Sequence, residues 1–130
     1  MKGSIGSMKE SIVIRKSGGF YSVFDDDAIV VNYLTGYKVV NGKLGFPLNS
    51  LDKVINLLED NKINYIVREG MKEVVSKNYK KNNKYGKVLD KGKKKYDIDY
   101  RVSSIIDKIN NLDYDRLCKL LDSVEEYINE

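Results

Sequence analysis

Apolar and polar side chains alternate with a period of two at the start of the chain. Ile12 and Ile14 alternate with Val13 and Arg15, and Phe20, Ser22 and Phe24 alternate with Tyr21 and Val23. That is the period of strands whose successive side chains face opposite ways, so Ser11 to Phe24 reads as two strands. Ser17-Gly18-Gly19 between them suits a tight hairpin, because glycine supplies positive φ angles. Asp25-Asp26-Asp27 then suits a helix start: one carboxylate accepts orphan amide protons and the others oppose the positive end of the dipole. Capping is the preferred reading of this triplet over metal binding. The period changes to that of a helix from Asp27 to Leu34, with Ala28, Val31 and Leu34 inward and Gly36 as the stop.

The next stretch is expected to be a strand at Tyr37 to Val40, a type I′ turn at Asn41-Gly42, and a returning strand from Lys43 to Phe46. Pro47, the only proline, ends that pairing because it has no amide proton to donate. Asn49 or Ser50 caps a second helix to about Asn61, with Leu51, Val54, Ile55 and Leu58 forming its inward stripe. Ile63 to Val67 reads as a further strand. The order β-β-α-β-β-α-β predicts an α/β fold: a small mixed β-sheet packed with helices.

From about Lys72 the pattern weakens. Lys77 to Lys95 is rich in lysine, asparagine and glycine, with few apolar residues beyond Val88 and Leu89. It reads as a mobile linker, with a short strand around Tyr85 to Leu89. Val102, Ile105, Ile106 and Ile109 then restore helical spacing, Asn110-Asn111-Leu112-Asp113 breaks and recaps it, and Leu117, Leu120, Leu121, Val124 and Ile128 continue it. The expected organisation is a leader at 1–10, an α/β core at 11–72, a Lys-rich linker at 73–97 and a C-terminal helical hairpin at 98–130. Within the leader, Met1 to Ser7 is small and polar, with Met8 as a candidate native start.

A length of 130 residues with 42% hydrophobic and 32% charged positions is that of one globular domain, or one with an appendage. No run approaches the roughly 20 apolar residues of a membrane span, and no apolar leader directs secretion, so the expected location is cytoplasmic with no membrane partner. The chain has no histidine and a single cysteine, Cys118. This removes Ser-His and Cys-His nucleophile pairs, makes zinc, copper or haem sites improbable, and leaves Cys118 as a packing residue. No cofactor is expected. The net charge of +4 is unevenly spread: residues 1–70 carry +1, residues 71–100 carry +6 and residues 101–130 carry −3. A basic middle segment is an electrostatic footprint for nucleic acid, or a solvated lysine-rich tether.

Gly18-Gly19-Phe20-Tyr21-Ser22-Val23-Phe24-Asp25-Asp26-Asp27-Ala28, followed by Gly45-Phe46-Pro47-Leu48-Asn49-Ser50, resembles the N-terminal mismatch-recognition domain of the MutS DNA mismatch repair family. That domain carries a Gly-Asp-Phe-Tyr-Glu-Leu-Phe-x-Asp-Asp-Ala run and a later Gly-(Ile/Val)-Pro-x-x-(Ala/Ser) run. The resemblance covers roughly Ser11 to Arg68. It implies that Phe20 is the base-stacking ring and that Gly18 and Gly19 let the strand approach the minor groove, which Phe20 and Tyr21 would engage in a DNA-binding module. It also implies that Ser22 stands where the family has a glutamate that hydrogen-bonds the mispaired base. The family's phosphate-binding loop has no counterpart here.

Three functions are weighed. The first is a non-catalytic MutS-like module for duplex DNA with a mismatch or distortion. Phe20 would act as an aromatic wedge, and Lys80, Lys81, Lys84, Lys93, Lys94 and Lys95 would neutralise phosphates. The second is a protein-interaction or assembly module, with residues 98–130 forming a homodimer or holding a partner protein. The third, a nuclease using Asp25, Asp26 and Asp27 with Mg²⁺, is disfavoured because adjacent aspartates do not all point at one ion. The chain is therefore expected not to be an enzyme.

Overall fold

A computed structural model describes residues 10–129. The expected leader, residues 1–10, lies outside the described residues except for Glu10. Contacts divide the chain into two compact units, the first ending at Tyr96 and the second beginning at Asp97.

The first unit is a five-stranded mixed sheet with helices. Its elements are β1 (Ile12–Ser17), β2 (Phe20–Phe24), α1 (Asp25–Thr35), β3 (Lys43–Pro47), α2 (Leu51–Asp60), β4 (Tyr65–Glu69), β5 (Lys72–Lys77) and the first half of α3 (Tyr85–Ile109). The sheet order is β3-β2-β1-β4-β5. Only β1 and β4 run parallel, with Ile12 opposite Tyr65 and Ile14 opposite Val67. The other three pairs are antiparallel. The hairpin between β1 and β2 turns on Gly18 and Gly19, with Gly18 at φ +61°. Alternation sends Ile12, Ile14, Tyr21, Val23, Leu44 and Phe46 to one face, where all six are buried against the helical layer. Ala28, Val30 and Val31 of α1, Val54 and Leu58 of α2, and Tyr85 and Val88 of α3 belong to the same core.

Two expectations are corrected in the first half. Tyr37 to Val40 is not a strand; only the single bridge Val40–Lys43 forms. The backbone there is already engaged by the end of α1: the Tyr37 N–H donates to Thr35 Oγ1 at 3.0 Å, and Asn32 Nδ2 donates to the Tyr37 carbonyl at 2.8 Å. The turn itself is as expected, with Asn41 and Gly42 at φ +53° and +76°. The second correction concerns capping. Phe24, not an aspartate, is the N-cap of α1, and no side chain caps it. Asp25, Asp26 and Asp27 occupy the first turn, where they oppose the dipole.

The Lys-rich segment is the largest correction. The span read as a mobile linker is structured: β5 pairs with β4 across a turn at Gly70 (φ +65°), a 3-10 turn follows at Lys80–Asn82, and α3 begins at Tyr85. No strand forms around Tyr85 to Leu89. Lysine is a good helix former, and Tyr85, Val88 and Gly92 place a buried face at i, i+3 and i+7. The contact is made by a tyrosine and a glycine as much as by aliphatic residues, which is why hydropathy alone misses it. An added Cβ on Gly92 would lie 3.0 Å from Ile29 Cγ2 and 3.3 Å from Tyr33 Cβ, so this glycine lets α3 approach α1 closely.

The second unit is a helical hairpin. The rest of α3 runs to Ile109, a turn follows, and α4 spans Tyr114–Ile128. Asp113 caps α4, its Oδ1 accepting the Arg116 N–H at 2.9 Å. No helix among the described residues is long and apolar enough to cross a membrane.

Candidate nucleic-acid interface

The residues singled out around the glycine turn divide between the two faces of the sheet. β2 pairs with β1 through Ser17–Phe20 and Arg15–Ser22, and with β3 through Phe20–Pro47, Ser22–Gly45 and Phe24–Lys43. Directly opposed residues share a face, so Phe20, Ser22, Phe24, Arg15 and Lys43 lie together on the face away from the core. Phe20 is 56% exposed and Phe24 44%. Tyr21 points the other way. It is 7% exposed, with its ring 5.8 Å from that of Phe46, so the residue expected beside the groove is a core residue.

Ser22 is on the outer face but is only 4% exposed. A side chain this short sits below the level of the flanking phenylalanines, so it offers a ligand little surface. Gly18 and Gly19 form the tip beside Phe20, and the space where a Cβ would project is open at both. Gly18 is needed for its positive φ.

Charge on the outer face comes from residues that the sequence reading did not select. Lys43 Nζ lies 5.9 Å from the centroid of the Phe24 ring, a cation–π contact. Arg15 is exposed opposite Ser22, and Arg68 pairs in register with Arg15 across β1 and β4. The alternation of Phe20, Ser22 and Phe24 is legible in the sequence. The strand register that adds Arg15, Lys43 and Arg68 is not.

Lys80, Lys81 and Lys84 do not converge on Phe20. Asn64, next to β4, accepts the Ile12 N–H at the start of β1, and Asn83 Oδ1 accepts the Asn64 N–H. Lys80 and Lys81 therefore lie at the start of β1, lining a cavity of about 480 Å³ with Glu10, Asn64, Asn78 and Asn83. Lys84 is tied to the same end through its N–H to the Lys62 carbonyl. Phe20 pairs with Ser17, the last residue of β1. Five strand steps of about 3.3 Å separate the two ends, roughly 17 Å. Lys93 is on α3, 3.9 Å from Asp26, with both side chains 55% exposed. Lys94 and Lys95 are exposed on the same helix.

A second cavity, of about 420 Å³, opens beside the outer face between Arg15, Phe24, the three aspartates and Tyr85. Asp27 is structural there. Its Oδ2 accepts the Val13 N–H at 3.0 Å, and its Oδ1 accepts the Tyr85 hydroxyl at 2.6 Å, joining β1, α1 and α3. Burial, reinforced by that bond to Asp27, pushes the Tyr85 phenol well above its ordinary range. Asp25 and Asp26 are exposed. Among the described residues no group of three or more His, Cys, Asp or Glu side chains could hold a metal ion. No family model matches the chain, and no curated protein matches it.

Proposed function

We propose that the first unit is a non-catalytic DNA-binding module that engages a mismatched or distorted duplex through the outer face of its sheet, with Phe20 as the inserted ring. The observation that carries this reading is the half-exposed Phe20 ring at the glycine turn, beside a tyrosine committed to the core. An aromatic side chain left in water at a sheet rim has an unmet apolar surface, and a weakened base step offers a flat partner for it. Stacking of one ring is worth about 1–3 kcal/mol, and unstacking a step costs a few kcal/mol, less where pairing is already broken. The resemblance of Gly18 to Ala28 to the MutS recognition domain points the same way. Ser22, short, uncharged and almost buried, does not supply the acidic contact to the base, so the module distinguishes a weakened step from an intact one more than one mispair from another.

Fluorescence anisotropy with matched, mismatched and single-stranded oligonucleotides tests this. Mismatched duplex binds more tightly than matched, and Phe20→Ala weakens that binding by about 5- to 150-fold, the equivalent of one lost stacking contact. The salt dependence is shallow, with a slope near −3 if Arg15, Lys43 and Arg68 are the phosphate contacts. Absence of binding to any duplex at about 50 mM salt removes the proposal.

An assembly role for the second unit is favoured by a separate observation. No side chain between Asp97 and Asn129 is buried. The two roles are compatible, since a weak DNA module gains avidity when it is held in multiple copies.

A further inference from the structure

The cavity of about 480 Å³ at the start of β1 is bordered by Asn64, Asn78, Asn83, Lys80, Lys81 and Glu10. Each asparagine has its carbonyl end committed to the main chain. Asn64 Oδ1 accepts the Tyr79 N–H at 2.6 Å, and Asn78 Oδ1 accepts the Lys80 N–H at 2.8 Å. Asn83 Oδ1 accepts the N–H groups of Asn64 and Tyr85 at 3.0 and 3.3 Å. A backbone N–H needs an acceptor, so these bonds fix which end of each amide is oxygen. The amino ends remain. Asn83 Nδ2 is used, donating to the Glu10 carbonyl at 2.7 Å. Asn64 Nδ2 and Asn78 Nδ2 make no hydrogen bond among the described residues.

Asn64 is the more informative of the two. It is only 8% exposed, and its N–H, carbonyl and Oδ1 are all bonded. A donor left unpaired in so buried a residue is costly unless something reaches it. Among the described residues no wholly enclosed side-chain nitrogen or oxygen lacks a partner, so Nδ2 is open to the cavity that Asn64 lines. Lys80 and Lys81 are exposed at its rim, and neither makes an ion pair among the described residues. Glu10 opposes them, but its carboxylate stands by the first turn of α3, with Oε2 3.9 Å from a Cβ built on Gly86. There the positive end of the helix dipole answers it.

The lining thus offers donors and positive charge, with its amide acceptors already spent. A complementary ligand brings acceptors and negative charge. A phosphate monoester has three terminal acceptor oxygens and close to two negative charges at neutral pH, which suits two ammoniums and two amide donors. A carboxylate has two oxygens and one charge. Small-molecule sites span about 300–1,000 Å³, so the cavity also has room for the organic group that the phosphate carries.

We propose that this cavity binds a phosphate monoester, with Lys80 and Lys81 opposing its charge and the amides of Asn64 and Asn78 donating to its oxygens. The cavity is at the end of β1 remote from Phe20, and the proposal stands whether or not the sheet face meets DNA.

Isothermal titration calorimetry of the full chain at about pH 7.5, where the monoester is a dianion, tests this with AMP, adenosine and inorganic phosphate. AMP binds, adenosine does not, and inorganic phosphate displaces AMP. Asn64→Asp keeps the shape and the contact to the Tyr79 N–H but replaces the donor by a charged acceptor, and weakens AMP binding by about tenfold or more. Lys80→Gln combined with Lys81→Gln has the same effect. Both positions are exposed, so that variant should melt as the unaltered chain does. Lys108→Gln combined with Lys119→Gln removes as much charge from exposed positions elsewhere and leaves the affinity within about twofold. A short single strand with a 5′-phosphate separates the two sources of such a group: tighter binding than AMP assigns the site to a strand end, weaker binding to a free mononucleotide. No binding of AMP at about 5 mM overturns the proposal. So does adenosine binding as tightly as AMP, or unchanged AMP affinity in the Lys80 and Lys81 variant.

Discussion

The two units use similar fractions of apolar residues to different ends. Among the described residues of the first, sixteen hydrophobic side chains fall below a tenth of their free exposure, from Ile12 in β1 to Val88 in α3. Among those of the second, none does. Burying an aliphatic side chain fully contributes about 1.5–3 kcal/mol, whereas ordering each residue costs about 1–2 kcal/mol. The first unit meets that cost from its own interior. The hairpin does not, and isolated helices of about 15 residues are marginal in water. The helix α3 passes from one regime to the other: Tyr85, Val88 and Gly92 are buried, and from Lys93 to Ile109 no side chain is. A buried face and an exposed apolar face thus follow one another along a single helix.

The sharpest way to break this contrast is to delete equivalent apolar volume from each unit. Phe46 is 1% exposed, and its ring stacks on that of Tyr37 and meets that of Tyr21 at a tilt. Phe46→Ala should cost about 3–5 kcal/mol, a large share of the stability of a small domain. Ile105, 53% exposed, should behave differently. Ile105→Ala is expected to leave urea unfolding of the dilute protein within about 0.5 kcal/mol of the original. Comparable losses for both substitutions in dilute urea melts would show that the hairpin is buried within a single chain.

The same contrast explains what could be read from the sequence. The elements from Ile12 to Leu58 follow from period, glycine position and turn chemistry, and the hairpin after Asp97 follows from apolar spacing and the Asp113 cap. Each of those signals is local. The Tyr37 to Val40 strand failed because Thr35 and Asn32 compete for its backbone, a contact between neighbours that propensity does not weigh. The linker failed because α3 is anchored by Tyr85 on Asp27, 58 positions apart, and by the absence of a side chain at Gly92. The candidate site divides in the same way. Phe20 was legible from alternation. The withdrawal of Tyr21 into the core and the distance of Lys80 and Lys81 from Phe20 depend on which face packs and which strand ends meet.

Alkaline titration tests whether the first unit is held together as described. Tyr85 and Tyr65 both have phenols raised well above their ordinary range, first by burial and then by hydrogen bonds to Asp27 and Glu59. Above pH 10 the unfolded chain releases these protons while the folded chain keeps them, so folding stability falls as pH rises. The loss is absent below about pH 9 and grows toward about 1.4 kcal/mol per pH unit for each phenol. Tyr85→Phe should lower stability at pH 7 by about 1 kcal/mol, through the lost bond to Asp27, and should flatten the decline between pH 10 and 11.5. Urea melts across that range measure both. An unchanged slope in the variant would place the Tyr85 hydroxyl in water.

The smallest expected effect is the one that divides α3 itself. In an exposed helix, Gly→Ala stabilises by about 1 kcal/mol, because glycine loses more backbone freedom on folding. At Gly92 the new Cβ would stand 3.0 Å from Ile29 Cγ2, 3.3 Å from the Ile29 carbonyl oxygen and 3.3 Å from Tyr33 Cβ. The methyl of Ile29 can rotate aside, but the carbonyl and the Tyr33 Cβ are fixed to α1, so α3 must shift outward. Overpacking of this kind costs about 1–3 kcal/mol. It exceeds the propensity gain, and Gly92→Ala is expected to be destabilising by about 1 kcal/mol. Ser103, exposed in the second half of the same helix, has the opposite expectation: Ser103→Ala gains a few tenths of a kcal/mol from propensity alone. Opposite signs for the two substitutions in thermal melts locate the boundary between the anchored and the unanchored parts of α3. A stabilising Gly92→Ala would mean that α3 does not lie against α1 at that distance, and that the buried part of the helix ends nearer Val88.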